Sequence, residues 1–225
     1  MPWNLLIFPL IAGYYFITKC WFLRFYHLRI ERQRLIFNST IAGIFFLFIS
    51  FIITIILSRF TKADNAFEAV FPKIEYLGTS ILSFILAVVA AHILNLFTNK
   101  NDRNFKAIAK IGNDLERIVA ESNQTMGLIQ LTLSSGKVYV GLPTTIAAPG
   151  DLHYLTIFPL YSGYRNNETK KVIFTTHYTE AFESFADDDP DNDIKLEVTI
   201  KCDQIITATP FDIDLYKKFN TKVAP

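Results

Sequence analysis

The sequence predicts a membrane α-helical region followed by a cytosolic α+β domain that contains a small antiparallel β-barrel. The first observation is that almost all long apolar runs fall within residues 1–98 of the 225-residue chain. The second is that the hydrophobic period changes to two residues after residue 126. The composition, 51% hydrophobic and 19% charged with a mean hydropathy of +0.26, excludes a disordered chain and a wholly soluble globule. A net charge of +1 argues against a dedicated nucleic-acid binder.

Two runs are long enough to span a bilayer. Residues 35–57 carry no charge, and residues 76–97 contain only His92 as an ionisable group. At about 1.5 Å per residue, each run is roughly 33 Å long, against a hydrocarbon core of about 30 Å. Residues 3–18 are also apolar but short, so they fit either a third span or a helix at the membrane interface. A cleaved signal peptide does not fit, because Lys19 follows this run and no basic residue precedes it.

Basic residues predict the orientation of the spans. They are concentrated before the second run (Lys19, Arg24, Arg29, Arg32, Arg34) and after the third (Lys100, Arg103, Lys106, Lys110). The loop between the second and third runs mixes three basic with three acidic residues. The positive-inside rule therefore predicts a multi-pass protein of the bacterial inner membrane, with its C-terminal domain in the cytoplasm. The two cysteines, Cys20 and Cys202, are expected to be reduced there.

Small and polar residues recur every four positions within both spans. The helix-packing candidates are Thr79, Ser83, Ala87, Ala91 and Asn95 on the later span and Ser50, Thr54 and Ser58 on the earlier one, where Ser39 and Gly43 form another small pair. Such stripes predict close helix association in a membrane. Packing within one chain and a homo-oligomer with an aqueous path are both open. His92 is a candidate intramembrane functional group, with simple hydration near the cytoplasmic end as the alternative.

The second half of the chain is organised as a helix followed by short strands. Residues 99–125 form an amphipathic linker helix by their apolar spacing of three and four. Within residues 126–225, alternation around Ser134-Ser135-Gly136 predicts a hairpin. Further strands are expected at 154–159, 171–178 and 196–206, and turns at 147–150, 162–163 and the acidic run 187–193. About five short strands after one helix suggest a small open or closed barrel.

The sequence contains no catalytic, cofactor-binding or metal-binding motif, so the chain is not expected to be an enzyme or to need a cofactor. The four histidines are scattered. Counted from Asp187, an EF-hand loop would need Gly at position six and Glu at position twelve, but Asn192 and Val198 stand there. The acidic run is therefore predicted to be a solvated loop.

The order of one helix and five strands resembles the Sm-like family of small barrels. Residues Leu133–Gly141 (LSSGKVYVG) look like the glycine-paired hairpin of the first Sm motif. The second motif is absent, since Lys201-Cys202-Asp203 stands in its place, and the uridine-binding loop is not recognisable around residues 150–154. The resemblance therefore implies the fold but not the RNA site, and a protein-interaction module is the expected use of the barrel.

The chain also resembles the membrane proteins encoded beside retron reverse transcriptases. Four segments carry this resemblance: Ser135–Gly141 (SGKVYVG), Phe158–Tyr164 (FPLYSGY), Phe174–Tyr178 (FTTHY) and Pro210–Tyr216 (PFDIDLY). The resemblance implies a dormant antiphage effector that perturbs the inner membrane when triggered and causes abortive infection. Its implied partners are membrane lipids, the reverse transcriptase and the RNA-linked DNA of that enzyme. A non-toxic membrane adaptor, whose barrel recruits a protein or nucleic acid, is the alternative.

Overall fold

A computed structural model describes residues 6–60, 76–166, 168–178 and 196–221. The chain divides into two compact units, Met1–Ala107 and Ile108–Pro225, which we call the helical unit and the sheet unit. Residues 61–75 of the loop expected to face outward, and the acidic run at residues 187–193, lie outside the described residues.

The helical unit contains α1 (Ile7–Lys19), α2 (Trp21–His27), α3 (Arg32–Phe60) and α4 (Leu77–Leu96). By length and composition, Arg32–Leu57 within α3 and the whole of α4 could each cross a membrane. These two segments contain or nearly coincide with the predicted runs 35–57 and 76–97. The prediction and the structure agree because an uninterrupted apolar run can be recognised from the sequence without knowledge of tertiary contacts.

The described part of the apolar run at residues 3–18 forms a helix shorter than a membrane span. Its helix, α1, has 13 residues and is therefore about 20 Å long. The chain bends at Cys20, whose ψ of 115° is extended, and continues as the seven-residue α2. Ala12 of α1 is buried in a cluster with Phe46 of α3 and Ala87 of α4. Helix α1 therefore packs on both long helices, and both alternatives, a third span and a helix at the membrane interface, stay predictions.

The linker predicted as one helix over residues 99–125 is two helices, α5 (Lys100–Ile111) and α6 (Asp114–Thr125). The break has a local cause. Asn113 is the N-cap of α6: its Oδ1 accepts from the Glu116 backbone N–H at 2.8 Å, and Glu116 Oε2 accepts from the Asn113 N–H at 2.9 Å. This reciprocal capping box starts a new helix at Asp114.

The described residues of the sheet unit form one antiparallel sheet of six strands. The strands are β1 (Leu128–Leu133), β2 (Lys137–Pro143), β3 (Tyr154–Arg165), β4 (Val172–His177), β5 (Val198–Lys201) and β6 (Ile205–Phe211), followed by α7 (Ile213–Thr221). Their order is β4-β3-β2-β1-β6, and β5 pairs with β3. Of the open and closed arrangements that the sequence predicted, the described strands form an open one, because β5 pairs with β3 and β6 with β1 but no ladder joins β5 to β6. A 3-10 turn at Cys202–Gln204 separates these two strands.

The turn predicted at residues 162–163 is wrong, since both residues lie inside the 12-residue strand β3. Serine and glycine are common turn residues, but here Gly163 allows the backbones of β3 and β4 to approach closely. A Cβ at Gly163 would overlap the carbonyl oxygen of Ile173 on β4. The β3–β4 register shifts at this point, between Ser162 and Gly163. By contrast, the hairpin predicted at Gly136 is confirmed, with φ of 78° at that glycine.

The core of the sheet unit lies between α6 and one face of the sheet. Its buried members are Val119, Ile129, Leu131, Leu155, Ile157 and Ile200. The side chains that α6 presents to the sheet follow its amphipathic period, with Val119 and Ala120 buried. Alternation in β1 and β3 places every second apolar residue on the same face.

Candidate functional site

The small and polar stripe of α4 faces the interior of the helical unit. Thr79, Ser83, Ala87 and Ala91 are all buried. The large apolar residues on the other face are exposed, Ile85 to 49% and Val89 to 46%. Ala87 of the stripe packs on Ala12 and Phe46 of the same chain, and the homo-oligomer stays a prediction.

Hydroxyl groups join α3 to α4 through backbone carbonyls. Ser50 Oγ donates to the carbonyl oxygen of Thr79 at 2.6 Å, and this contact is buried. Thr54 Oγ1 donates to the Ser50 carbonyl within α3 at 2.9 Å, and Ser83 Oγ donates to the Ser80 carbonyl within α4 at 2.7 Å. Of the four predicted packing residues named here, only Ser50 and Thr79 form a direct hydrogen bond between helices.

A glycine contact between α1 and α3 was not predicted from the sequence. A Cβ at Gly13 would overlap the Ser39 carbonyl oxygen, and a Cβ at Gly43 would overlap the Pro9 carbonyl oxygen. The two helix backbones therefore touch at these glycines. The pair Ser39 and Gly43 was noted in the sequence, but the adjacent Ala12 and Gly13 were the signal that α1 is the partner.

Asn95 lies at the bend between α1 and α2, where it bonds to both sides of Cys20. Its Nδ2 donates to the carbonyl oxygen of Lys19 at 2.9 Å, and its Oδ1 accepts from the backbone N–H of Trp21 at 2.8 Å. The bend interrupts the helical hydrogen bonds, so these groups need other partners. Asn95 thus acts at a helix break, a role that its place in the four-residue stripe did not indicate.

His92 is exposed, and the intramembrane role predicted for it stays a prediction. Its Nδ1 donates to the Val88 carbonyl oxygen at 2.9 Å within α4. Its ring is stacked on Tyr15 of α1, with centroids 6.5 Å apart. The hydrogen bond within α4 and the stacking on α1 together fix the orientation of the imidazole ring.

A buried carboxylate joins α6 to the loop between β2 and β3. Glu116 is 4% exposed, and besides capping α6 it accepts a hydrogen bond at Oε1 from the Gly150 backbone N–H at 2.8 Å. Asn123 of the same helix donates from Nδ2 to the Pro143 carbonyl oxygen at 2.9 Å. These contacts hold the loop at both of its ends.

Two described titratable groups of the sheet unit, a cysteine and a tyrosine, have raised pKa values. Burial, and then the charges of Asp203 and Glu116, raise the pKa of the Cys202 thiol, so it is protonated at neutral pH and weakly nucleophilic. Burial, and then Tyr178 and Tyr164, raise the pKa of Tyr139. Within the described ranges, no group of three or more His, Cys, Asp or Glu side chains could hold a metal ion.

Comparison with known proteins gives no relative for this chain. No family model, no curated protein and no solved structure matches it. In the part of the chain that the structure describes, the fold has two apolar helices of membrane-span length and an open antiparallel sheet.

Proposed function

We propose that the chain is an inner-membrane protein that acts as an effector of retron-type antiphage defence. The observation that carries the membrane assignment is the distribution of side chains on α3 and α4. In the most apolar 18-residue stretch of each helix, only 17% of the α3 residues and 22% of the α4 residues are buried. The exposed residues are large and apolar. A core helix of a soluble protein would instead be mostly buried, and a large exposed apolar surface needs a nonpolar environment.

The proposed orientation places the ends of α1 and α4 in the cytoplasm. It is supported by the contact of Asn95 with both Lys19 and Trp21, since the basic segment around α2 then lies at the same end as the basic start of α5. Reporter fusions after Arg34 and after Lys110 are expected to be cytoplasmic, and a fusion near Phe67 periplasmic. An active alkaline phosphatase fused after Lys110 would contradict this orientation.

For the sheet unit, the proposed fold is a small Sm-like barrel. Two features support it: the helix α6 precedes β1, and only a 3-10 turn separates β5 from β6. Since β5 pairs with β3 and β6 pairs with β1, the strand order is circular apart from one missing ladder. The barrel would serve as a sensing surface in the cytoplasm.

The effector proposal assigns membrane damage to the helical unit. Expression of the full chain with its trigger is expected to collapse the membrane potential, as measured with a potential-sensitive dye, and to arrest growth. The close packing of the stripe within one chain fits a dormant state whose helices must rearrange to act. Normal growth and dye retention under every trigger tried would contradict the effector function.

A non-toxic adaptor is the second candidate. The stripe residues of α4 are buried by packing, and α3 and α4 expose mainly apolar side chains, as a membrane anchor would. Exchanging α3 and α4 for unrelated spans separates the two functions. An adaptor keeps its function after this exchange. Loss of activity while the sheet unit still binds its partner would support the effector.

Enlarging the stripe is expected to disturb the helical unit without changing its oligomeric state. Ala87 is fully buried, so Ala87→Leu forces α4 away from Ala12 and Phe46 and costs about 1–3 kcal/mol of packing. Val89→Leu adds bulk to the exposed face and is the matched control. Cross-linking in native membranes should show the same ladder for both variants, with activity lost only in Ala87→Leu. A ladder changed by Ala87→Leu would instead place the stripe between chains.

A further inference from the structure

One end of the helical unit combines exposed cations with exposed apolar side chains. We call the following set the basic end: Lys19, Arg24, Arg29, Arg32, Arg34, Lys100, Arg103 and Lys106. In residues 19–34 and 98–106 these eight cations are opposed by only two acidic residues, Glu31 and Asp102. The net charge of these segments is therefore strongly positive, although that of the whole chain is +1.

Three contacts hold the basic end together as one surface. Asn95 at the end of α4 bonds to Lys19 and Trp21. The guanidinium of Arg103 lies 4.3 Å above the ring of Phe22, which joins α5 to α2. Asn38 Nδ2 donates to His27 Nε2 at 3.2 Å, which joins the start of α3 to the end of α2. The cations from four segments are thus presented at the same end.

The apolar side chains beside these cations are among the most exposed in the chain. Leu96, the last residue of α4, is 83% exposed, and Phe97, its C-cap, is 87% exposed. Phe22 on α2 is 48% exposed. Trp21 and Tyr26 belong to the same short helix, and such aromatic residues favour the boundary between hydrocarbon and headgroups. Exposed cations next to exposed apolar groups match the two layers of a phospholipid surface.

We propose that the basic end binds the phosphates of anionic phospholipids selectively over zwitterionic ones. Arg24 and Arg32 are exposed, and arginine binds phosphate oxygens through two parallel N–H groups. Leu96 and Phe97 then contact the acyl chains of the same lipids. This inference rests on the proposed membrane function, and it adds a lipid class that the helical unit prefers.

The test uses the full chain in bilayers and the fluorescence of Trp21, which lies within the basic end. The chain has two tryptophans, so Trp3→Phe makes Trp21 the only reporter. Brominated phosphatidylglycerol is compared with brominated phosphatidylcholine as a quencher in phosphatidylcholine bilayers. The expected result is an association of phosphatidylglycerol at least about fivefold stronger, and the preference should fall in 1 M salt, where charges are screened beyond about 3 Å.

The variant Arg24→Gln/Arg32→Gln should lose most of this preference, since each cation near an anionic surface contributes up to about fivefold. The matched control is Lys171→Gln/Lys218→Gln in the sheet unit, which should leave it unchanged. Equal quenching by both lipids, or a preference insensitive to salt and to the arginine variant, would overturn the lipid site while leaving membrane embedding intact. Quenching by neither lipid would overturn both proposals.

Discussion

Replacing Glu116 with alanine is expected to lower the free energy of unfolding of the sheet unit by about 2–4 kcal/mol. The variant removes the acceptor of the Asn113 N–H, which costs a capping box on α6. It also removes the acceptor of the Gly150 N–H in the loop between β2 and β3. Because the carboxylate is buried, water does not easily replace it. Urea titration followed by circular dichroism of the full chain in micelles would measure the change.

Two comparisons isolate the cause of this loss. Glu121→Ala removes an exposed carboxylate from the same helix and should change stability by less than about 0.5 kcal/mol. Glu116→Gln retains an acceptor oxygen and a side chain that can complete a capping box, so it should recover much of the loss. If Glu116→Ala and Glu121→Ala destabilise equally, the two hydrogen bonds of Glu116 contribute nothing beyond helix propensity.

The lengths of the long helices could be predicted from the sequence, because charge-free runs and basic flanks are local signals. The break in the linker could also have been predicted, since Gly112 and Asn113 stand before Glu116 in the spacing of a capping box. The prediction of a single helix followed the apolar spacing, which continues across the break. The predicted strand at residues 154–159 is shorter than β3, because Ser162 and Gly163 have the composition of a turn. In the structure, pairing with β4 holds both residues in the sheet.

The contacts of the helical unit could not be predicted in the same way. Spacing identified the stripe of α4 but could not show whether its partner belongs to the same chain, because that depends on tertiary packing. The contact between Asn95 and Trp21 joins residues 74 positions apart. Its purpose depends on the bend at Cys20, and a bend without proline or glycine leaves no marker in the sequence.

Asn95→Leu is expected to open the bend at Cys20. Leucine has nearly the shape of asparagine but cannot bond to the Lys19 carbonyl or to the Trp21 N–H, and each unpaired group costs about 1–3 kcal/mol. The sum, about 2–6 kcal/mol, raises the open population by about 30-fold or more. Cys20 is 1% exposed, so its reaction with a maleimide reports this opening directly.

The measurement is the rate of maleimide labelling of Cys20 in detergent micelles, with mass spectrometry of peptides to separate it from Cys202. Asn101→Leu makes the same chemical change at an exposed position of α5 and should leave the rate unchanged. Asn95→Asp keeps the acceptor for Trp21 but loses the donor to Lys19, so its rate should fall between those of the native chain and Asn95→Leu. Equal labelling rates in all four proteins would mean that the bend is held by the packing of α1 on α3, through Gly13 and Gly43, and not by Asn95.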